Sequence, residues 1–305
     1  MNTKVILPLL VATFILVFTS CVENLGPGWG YLVDNPLDKD IVINIDDKDY
    51  TIPADSSRTI KLSKGKHTLT YDGSSVNFVT KVSGNKSVTI MNPTLSNYML
   101  HAYIYVKKNY NIKGTDDIYA ENSHEYKSDV GAVMLPVKVV NSLFIEKNHH
   151  QWSFGLNQEA KTEVGTSYPG RYHVFHKIYR EEDYRNAFAE ELPPGIVFPA
   201  NAKKLNELPP YKFPVEEMMS DCEVANNYMK EMAEKWNETI ATSTDILQSE
   251  ARFNQQFHFK IRGEMIEGCS TDYNPNRDET SFNAAMDRLN EELRYISDAS
   301  SYIVE

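Results

Sequence analysis

Histidine is the residue most able to do chemistry here, and two pairs stand out: His149-His150 and His173-x-x-His176. Either pair would supply two metal ligands if both imidazoles met on one side of the backbone. "RYHVFHKIYR" alternates in the manner of a strand, with Tyr172, Val174, His176 and Ile178 on one side and His173, Phe175 and Lys177 on the other. Residues one or three apart on a strand point to opposite faces, so neither pair is expected to chelate. The sequence has no HExxH and no CxxC motif, and no metal ligand set or cofactor is expected.

Other chemistries are equally thin. There is no Gly-x-Ser-x-Gly elbow. "REEDYRNAFAEE" (Arg180–Glu191) is rich in acids, and the expectation for it is a solvated helix face. Paired carboxylates for glycan hydrolysis form in space and not in sequence, so a hydrolase stays open as the alternative. "DYNPN" (Asp272–Asn276) with Asp278 places oxygens as an EF-hand loop would. Arg277 stands where the turn wants Gly, and Asn283 where a bidentate Glu is needed. The expectation there is a polar loop ending in a helix cap at Asp278 or Thr280. No catalytic residue is assigned, and a non-catalytic role is preferred to an enzyme.

Tyrosine offers binding chemistry instead. Six of the 18 tyrosines fall between Tyr98 and Tyr126. In "NYMLHAYIYV", Tyr103 and Tyr105 share a face with His101, opposite Leu100, Ala102, Ile104 and Val106. An exposed Tyr103/Tyr105 face would stack on sugar rings or on a protein, because tyrosine supplies area at small entropic cost. Tyrosine is also a good strand residue that packs between layers.

The elements that position these residues begin after an apolar leader. Lys4 is the one charge before Cys21, and Val5 to Phe18 is almost wholly apolar. A basic start, a short apolar run and small residues describe a secretory signal peptide over 1–20. Phe18-Thr19-Ser20-Cys21 resembles the lipobox of bacterial lipoproteins, with Phe18 where Leu is usual. That resemblance implies acyl chains (palmitate among them) on Cys21, which would hold the protein on a membrane of the cell envelope. Val22 is not the Asp that retains such proteins at the inner membrane, so the resemblance implies the outer membrane. The resemblance makes the polar stretch 21–29 a lipidated tether. The net charge of −11 makes nucleic acid and anionic headgroups poor partners. The expected partners are the membrane through Cys21, and a protein or glycan.

Residues 30–96 hold short strand-like runs separated by "DDKD", "SKGK", "DGSS" and "SGNK", the pattern of a small antiparallel sandwich. "INIDDKDYTIP" followed by "IKLSKGKHTLTYDG" resembles the PEGA-type β modules of bacterial envelope proteins, without their Gly-Thr-Pro turn. The resemblance implies a non-catalytic surface module. Residues 97–305 form an α+β domain. Extended Pro-rich straps at 192–214 ("ELPPGIVFP" and "ELPPYKFP") lead to amphipathic helices around Cys222–Ile240 and Phe282–Ile296. Glu216 and Glu217 are placed in the first turn of the former helix, and "QFHFKIR" is read as a strand between the two. The fold class is α+β: an N-terminal antiparallel β-sandwich-like module, then a β-rich domain with C-terminal amphipathic helices.

With Cys21 acylated, two cysteines remain in a compartment that permits disulfides. Pairing of Cys222 with Cys269 is expected. The rival arrangement is two free thiols, with Cys222 filling an apolar stripe.

Overall fold

The computed structural model describes residues 29–81, 88–106, 115–163, 172–199, 203–242, 259–273 and 279–305. The expected leader, Cys21 and most of the expected tether lie outside them, as do residues 274–278 of the polar loop.

Two sheets enclose the first core. One has the order β12–β7–β1–β4: β1 is Trp29–Asn35, β4 Ser56–Leu62, β7 Thr89–Met91 and β12 Phe144–Glu146. The other has the order β15–β6–β5–β2–β3, built from β2 (Ile41–Ile45), β3 (Lys48–Ile52), β5 (Gly65–Tyr71), β6 (Ser74–Thr80) and β15 (Ser301–Val304). Alternation does what the pattern demands. Ile41, Ile43 and Ile45 point inward with Leu69 and Phe78, while Val42 between them is exposed. Tyr31, Val33 and Ile60 face them from the other sheet. The separators are tight turns: Asp46 and Asp47, then Asp72 and Gly73, all carry positive φ. That is the backbone of the two-residue hairpin turns that match strand twist.

The sandwich is not wholly antiparallel, because β1 and β7 run parallel. It also draws on strands from outside residues 30–96. β12 pairs with β7, and the C-terminal β15 pairs with β6. Alternation in β15 explains the second join: Ile303 packs on the sandwich core, while Tyr302 enters the helical core.

A third sheet has the order β11–β8–β14–β13: β8 is Tyr98–Val106, β11 Val137–Val140, β13 Trp152–Phe154 and β14 Tyr172–Arg180. Helix α1 (Thr115–Glu121) and the hairpin of β9 (His124–Ser128) and β10 (Gly131–Leu135) lie between β8 and β11 in the chain. Helix α2 (Glu181–Ala187) follows β14. Glu182 and Asp183 are exposed and Glu181 is half-buried, while the helix buries Tyr184.

Among the described residues three helices follow, α3 (Glu223–Thr242), α4 (Phe259–Cys269) and α5 (Thr280–Asp298), and β15 comes after the last of them. Met229, Met232 and Trp236 of α3 meet Met265 of α4 and Phe282, Leu289 and Ile296 of α5. Two expectations change here. The described part of "QFHFKIR" is helical from Phe259. Three alternating apolar residues are too few to fix a strand, whereas Met265 and Cys269, four apart and buried, give one face to a helix. Glu216 and Glu217 lie in a separate 3₁₀ turn, Val215–Met218. Asn226 splits it from α3 by bonding both the N–H and the carbonyl of Ser220 at 2.8 Å. Residue Glu279 precedes α5 without a side-chain cap, and its carboxylate instead accepts from Ser270 Oγ at 3.0 Å.

Cys222 and Cys269 form a disulfide, with Cα atoms 6.0 Å apart. It pins the start of α3 to the end of α4. Gly268 makes the approach possible, since a Cβ there would lie 2.9 Å from Val224 Cγ1.

Candidate functional site

The site is built on the β8–β14 pair, which runs in register from Tyr98↔Arg180 to Val106↔Tyr172. The pleat sends its side chains to two faces.

One face is an aromatic ladder. Tyr103 stacks beside Tyr105 with centroids 6.4 Å apart, and Tyr105 meets Phe175 edge-on at 5.7 Å. The two expected binding tyrosines are half-buried and engaged: Tyr103 and Tyr179 share a hydrogen bond between hydroxyls at 2.5 Å, and Tyr105 donates to the Lys161 carbonyl at 2.5 Å. Burial, with the Tyr103 hydrogen bond, raises the Tyr179 hydroxyl well above the usual phenol range. At the inner end His101 packs on Phe188 at 4.4 Å, and burial brings its imidazole down to about 4. Lys177 donates to the carbonyls of Gly155, Leu156 and Gln158, at 3.1, 3.2 and 2.6 Å, which fastens the loop after β13.

The opposite face forms the floor of a cleft of about 520 Å³. Leu100 and Val140 make the floor, and His176 and Lys138 rise from it. His124 and Asn122 wall one side. The turn His149–Gln151 walls another. That turn is closed by the His150 N–H donating to the Glu146 carbonyl at 2.9 Å, and Gln151 leaves it with φ of 52°. Among the described residues, four histidines therefore line one cleft.

The expected separation of His173 from His176 holds: His176 lines the cleft, while His173 stacks on Phe175 on the ladder side. The expectation for His149 and His150 changes. They stand in a turn ahead of β13, not on a strand, and both reach the cleft. Their rings meet edge-on at 4.7 Å. Among the described residues no group of three His, Cys, Asp or Glu is arranged to hold a metal ion.

The electrostatics of the cleft follow from burial and one lysine. Burial brings His150 down to about 4, and the charges of His149 and Lys138 add to it against the Glu146 carbonyl. His176 and His124 are lowered first by burial, and Lys138 acts on both. These imidazoles are neutral at pH 7.

Acids gather elsewhere. Glu181 and Glu182 line a second hollow with Thr94, Ser96 and Arg185. Glu181 there accepts from Arg185 at 2.8 Å and from Asn97 at 2.8 Å. Among the described residues, Glu121 is the one carboxylate lining the histidine cleft.

Sequence reasoning did not place His124 or Lys138 in any site. Their convergence with His149, His150 and His176 depends on the order β11–β8–β14, which no local pattern states. The chain matches no known protein family, no curated protein and no solved structure.

Proposed function

We propose that this is a lipid-anchored protein of the cell envelope with a non-catalytic binding role, held by acyl chains on Cys21 at the outer membrane. The lipobox-like leader supports the anchor. The Cys222–Cys269 disulfide suits an oxidising compartment outside the cytosol. A β-rich body near the tether, resembling PEGA-type modules, suits a spacer.

The observation that carries the binding role is the histidine cleft: a preformed polar hollow, of a size usual for ligand sites, lined by hydrogen-bonding groups with one carboxylate among them. The tyrosine ladder behind it serves chiefly to hold β8 and β14 rigid. The glycan hydrolase alternative asks for two acids flanking a cleft. The Glu181–Glu182 pair offers adjacent acids on one helix, with Glu181 already tied to Arg185.

The test is capture from detergent-solubilised envelopes, run with the lipidated protein beside Lys138→Glu. A protein or glycan held by the former and lost by the latter supports the reading. Equal retention by both removes the cleft as the contact surface.

A further inference from the structure

We propose that the histidine cleft is a site for a small anionic ligand, a carboxylate or phosphate group that Lys138 neutralises and the imidazoles hydrogen-bond. This rests on the reading of the cleft as a contact surface and adds the class of ligand.

Lys138 is the first reason. It is exposed on β11, an edge strand, and takes part in no ion pair among the described residues. Its charge nevertheless reaches three histidines from three different elements: His124 of β9, His150 of the turn and His176 of β14. A cation among neutral donors in a concave site attracts anions more strongly than the same charge on open surface. The protein is acidic as a whole, so this hollow stands out against its surroundings.

The imidazoles are the second reason. Nδ1 of His150 lies 3.1 Å from both the N–H and the carbonyl of Glu146, so the backbone occupies that nitrogen. His176 is likewise held by the backbone of Gln151. Both residues line the cleft. A neutral ring can donate only one proton. A protonated ring donates from both nitrogens, to the backbone carbonyl and to an anion together. A bound anion therefore raises the affinity of these rings for protons, and protonation raises the affinity for the anion. Asn122 and Asn141 also line the cleft; each amide already donates once, to the Ile118 carbonyl at 2.8 Å and to Asn97 Oδ1 at 3.5 Å, and has a second N–H.

The other charged groups around the cleft set the background for this coupling. Glu121 of α1 lines it and weakens anion binding when ionised. His149 faces both this cleft and a neighbouring hollow lined by Glu291, Arg294 and Tyr295 of α5. Size favours a ligand larger than a bare ion, such as a sugar acid or a sugar phosphate.

The probes are glucuronate, for a sugar carboxylate, and inorganic phosphate, titrated separately into the purified full-length protein in detergent. Histidine ring resonances and calorimetry give the readout. Saturable shifts of His124, His150 and His176 are expected with at least one probe; for glucuronate, whose own charge is the same at both pH values, the affinity is expected to be about fivefold or more higher near pH 6 than near pH 8. The probe that binds more tightly identifies the source. Lys138→Ala, which removes an exposed side chain, is expected to weaken binding about tenfold with the melting temperature unchanged. No saturation with either probe, or unchanged affinity in Lys138→Ala, overturns the assignment. Anion binding that persists while envelope capture fails leaves this site standing and defeats the contact-surface reading. Capture that persists without anion binding does the reverse.

Discussion

Arg180 grips Asp34 with two parallel contacts, Nη2 to Oδ1 at 2.7 Å and Nε to Oδ2 at 3.0 Å. This fastens β14 of the site to β1 of the sandwich. Both side chains are buried, Tyr98 donates to Asp34 Oδ2 at 2.6 Å, and Arg180 Nη1 also reaches Asp55. The position of the cleft relative to the sandwich depends on this knot.

Removing one partner of such a pair leaves a buried charge without compensation. Asp34→Asn is expected to cost roughly 3–5 kcal/mol in urea unfolding. A loss below about 1 kcal/mol, the worth of an exposed pair, would show that the knot is open to water.

The disulfide makes a separate prediction. It closes a sequence separation of 47 residues, for which loop-closure entropy gives roughly 4 kcal/mol of stabilisation. Cys222→Ala with Cys269→Ala is expected to lower the melting temperature well below that of the oxidised protein. Alkylation of the non-reduced protein should modify neither cysteine; modification of both would rule out the bond.

Much of this was legible in the sequence, and the reason is local. Ile41, Ile43 and Ile45, the Asp-Asp and Asp-Gly turns, and the stripe from Cys222 to Trp236 are periodicities a short window contains. The parallel β1–β7 pair and the return of β15 to β6 depend on contacts distant in the chain, while the strand expected at "QFHFKIR" rested on three alternating apolar residues, too few to outweigh the helical spacing of Met265 and Cys269. The cleft failed for the same reason. His124, Lys138 and His176 are separated by long stretches, and the rule that places strand neighbours on opposite faces did not apply to His149 and His150, which sit in a turn.

Glu146 gives a pH prediction. It is buried against Ser300, whose N–H and Oγ both donate to Oε1, at 2.6 and 2.9 Å. Burial pushes its carboxyl up to about 7, against those hydrogen bonds and the charge of Lys81. A raised folded value means that its contribution is fully present below about pH 4.5, the usual value, and is lost as pH rises to about 7. The loss is on the order of 3 kcal/mol. His101 and His150, both lowered to about 4, act oppositely, losing stability as pH falls from about 6.5. Glu146→Gln is therefore expected to remove the decline between pH 4.5 and 7 and leave the acid limb. An unchanged profile would place the Glu146 carboxylate in contact with water.

Tyr103 tests the ladder. Tyr103→Phe keeps the ring and removes its hydroxyl from Tyr179, at an expected cost of about 1 kcal/mol in thermal unfolding. A variant as stable as the parent would show that this hydroxyl is free for a ligand.

Attachment at Cys21 underlies both the anchoring and the location proposed for this protein. Cells fed an alkynyl fatty acid, expressing either the parent protein or Cys21→Ala, are to be fractionated and the label in this chain measured. The prediction is strong labelling of the parent in the outer-membrane fraction, and an unlabelled variant that leaves the membranes. Equal membrane retention of Cys21→Ala, or no label on the parent, would contradict it.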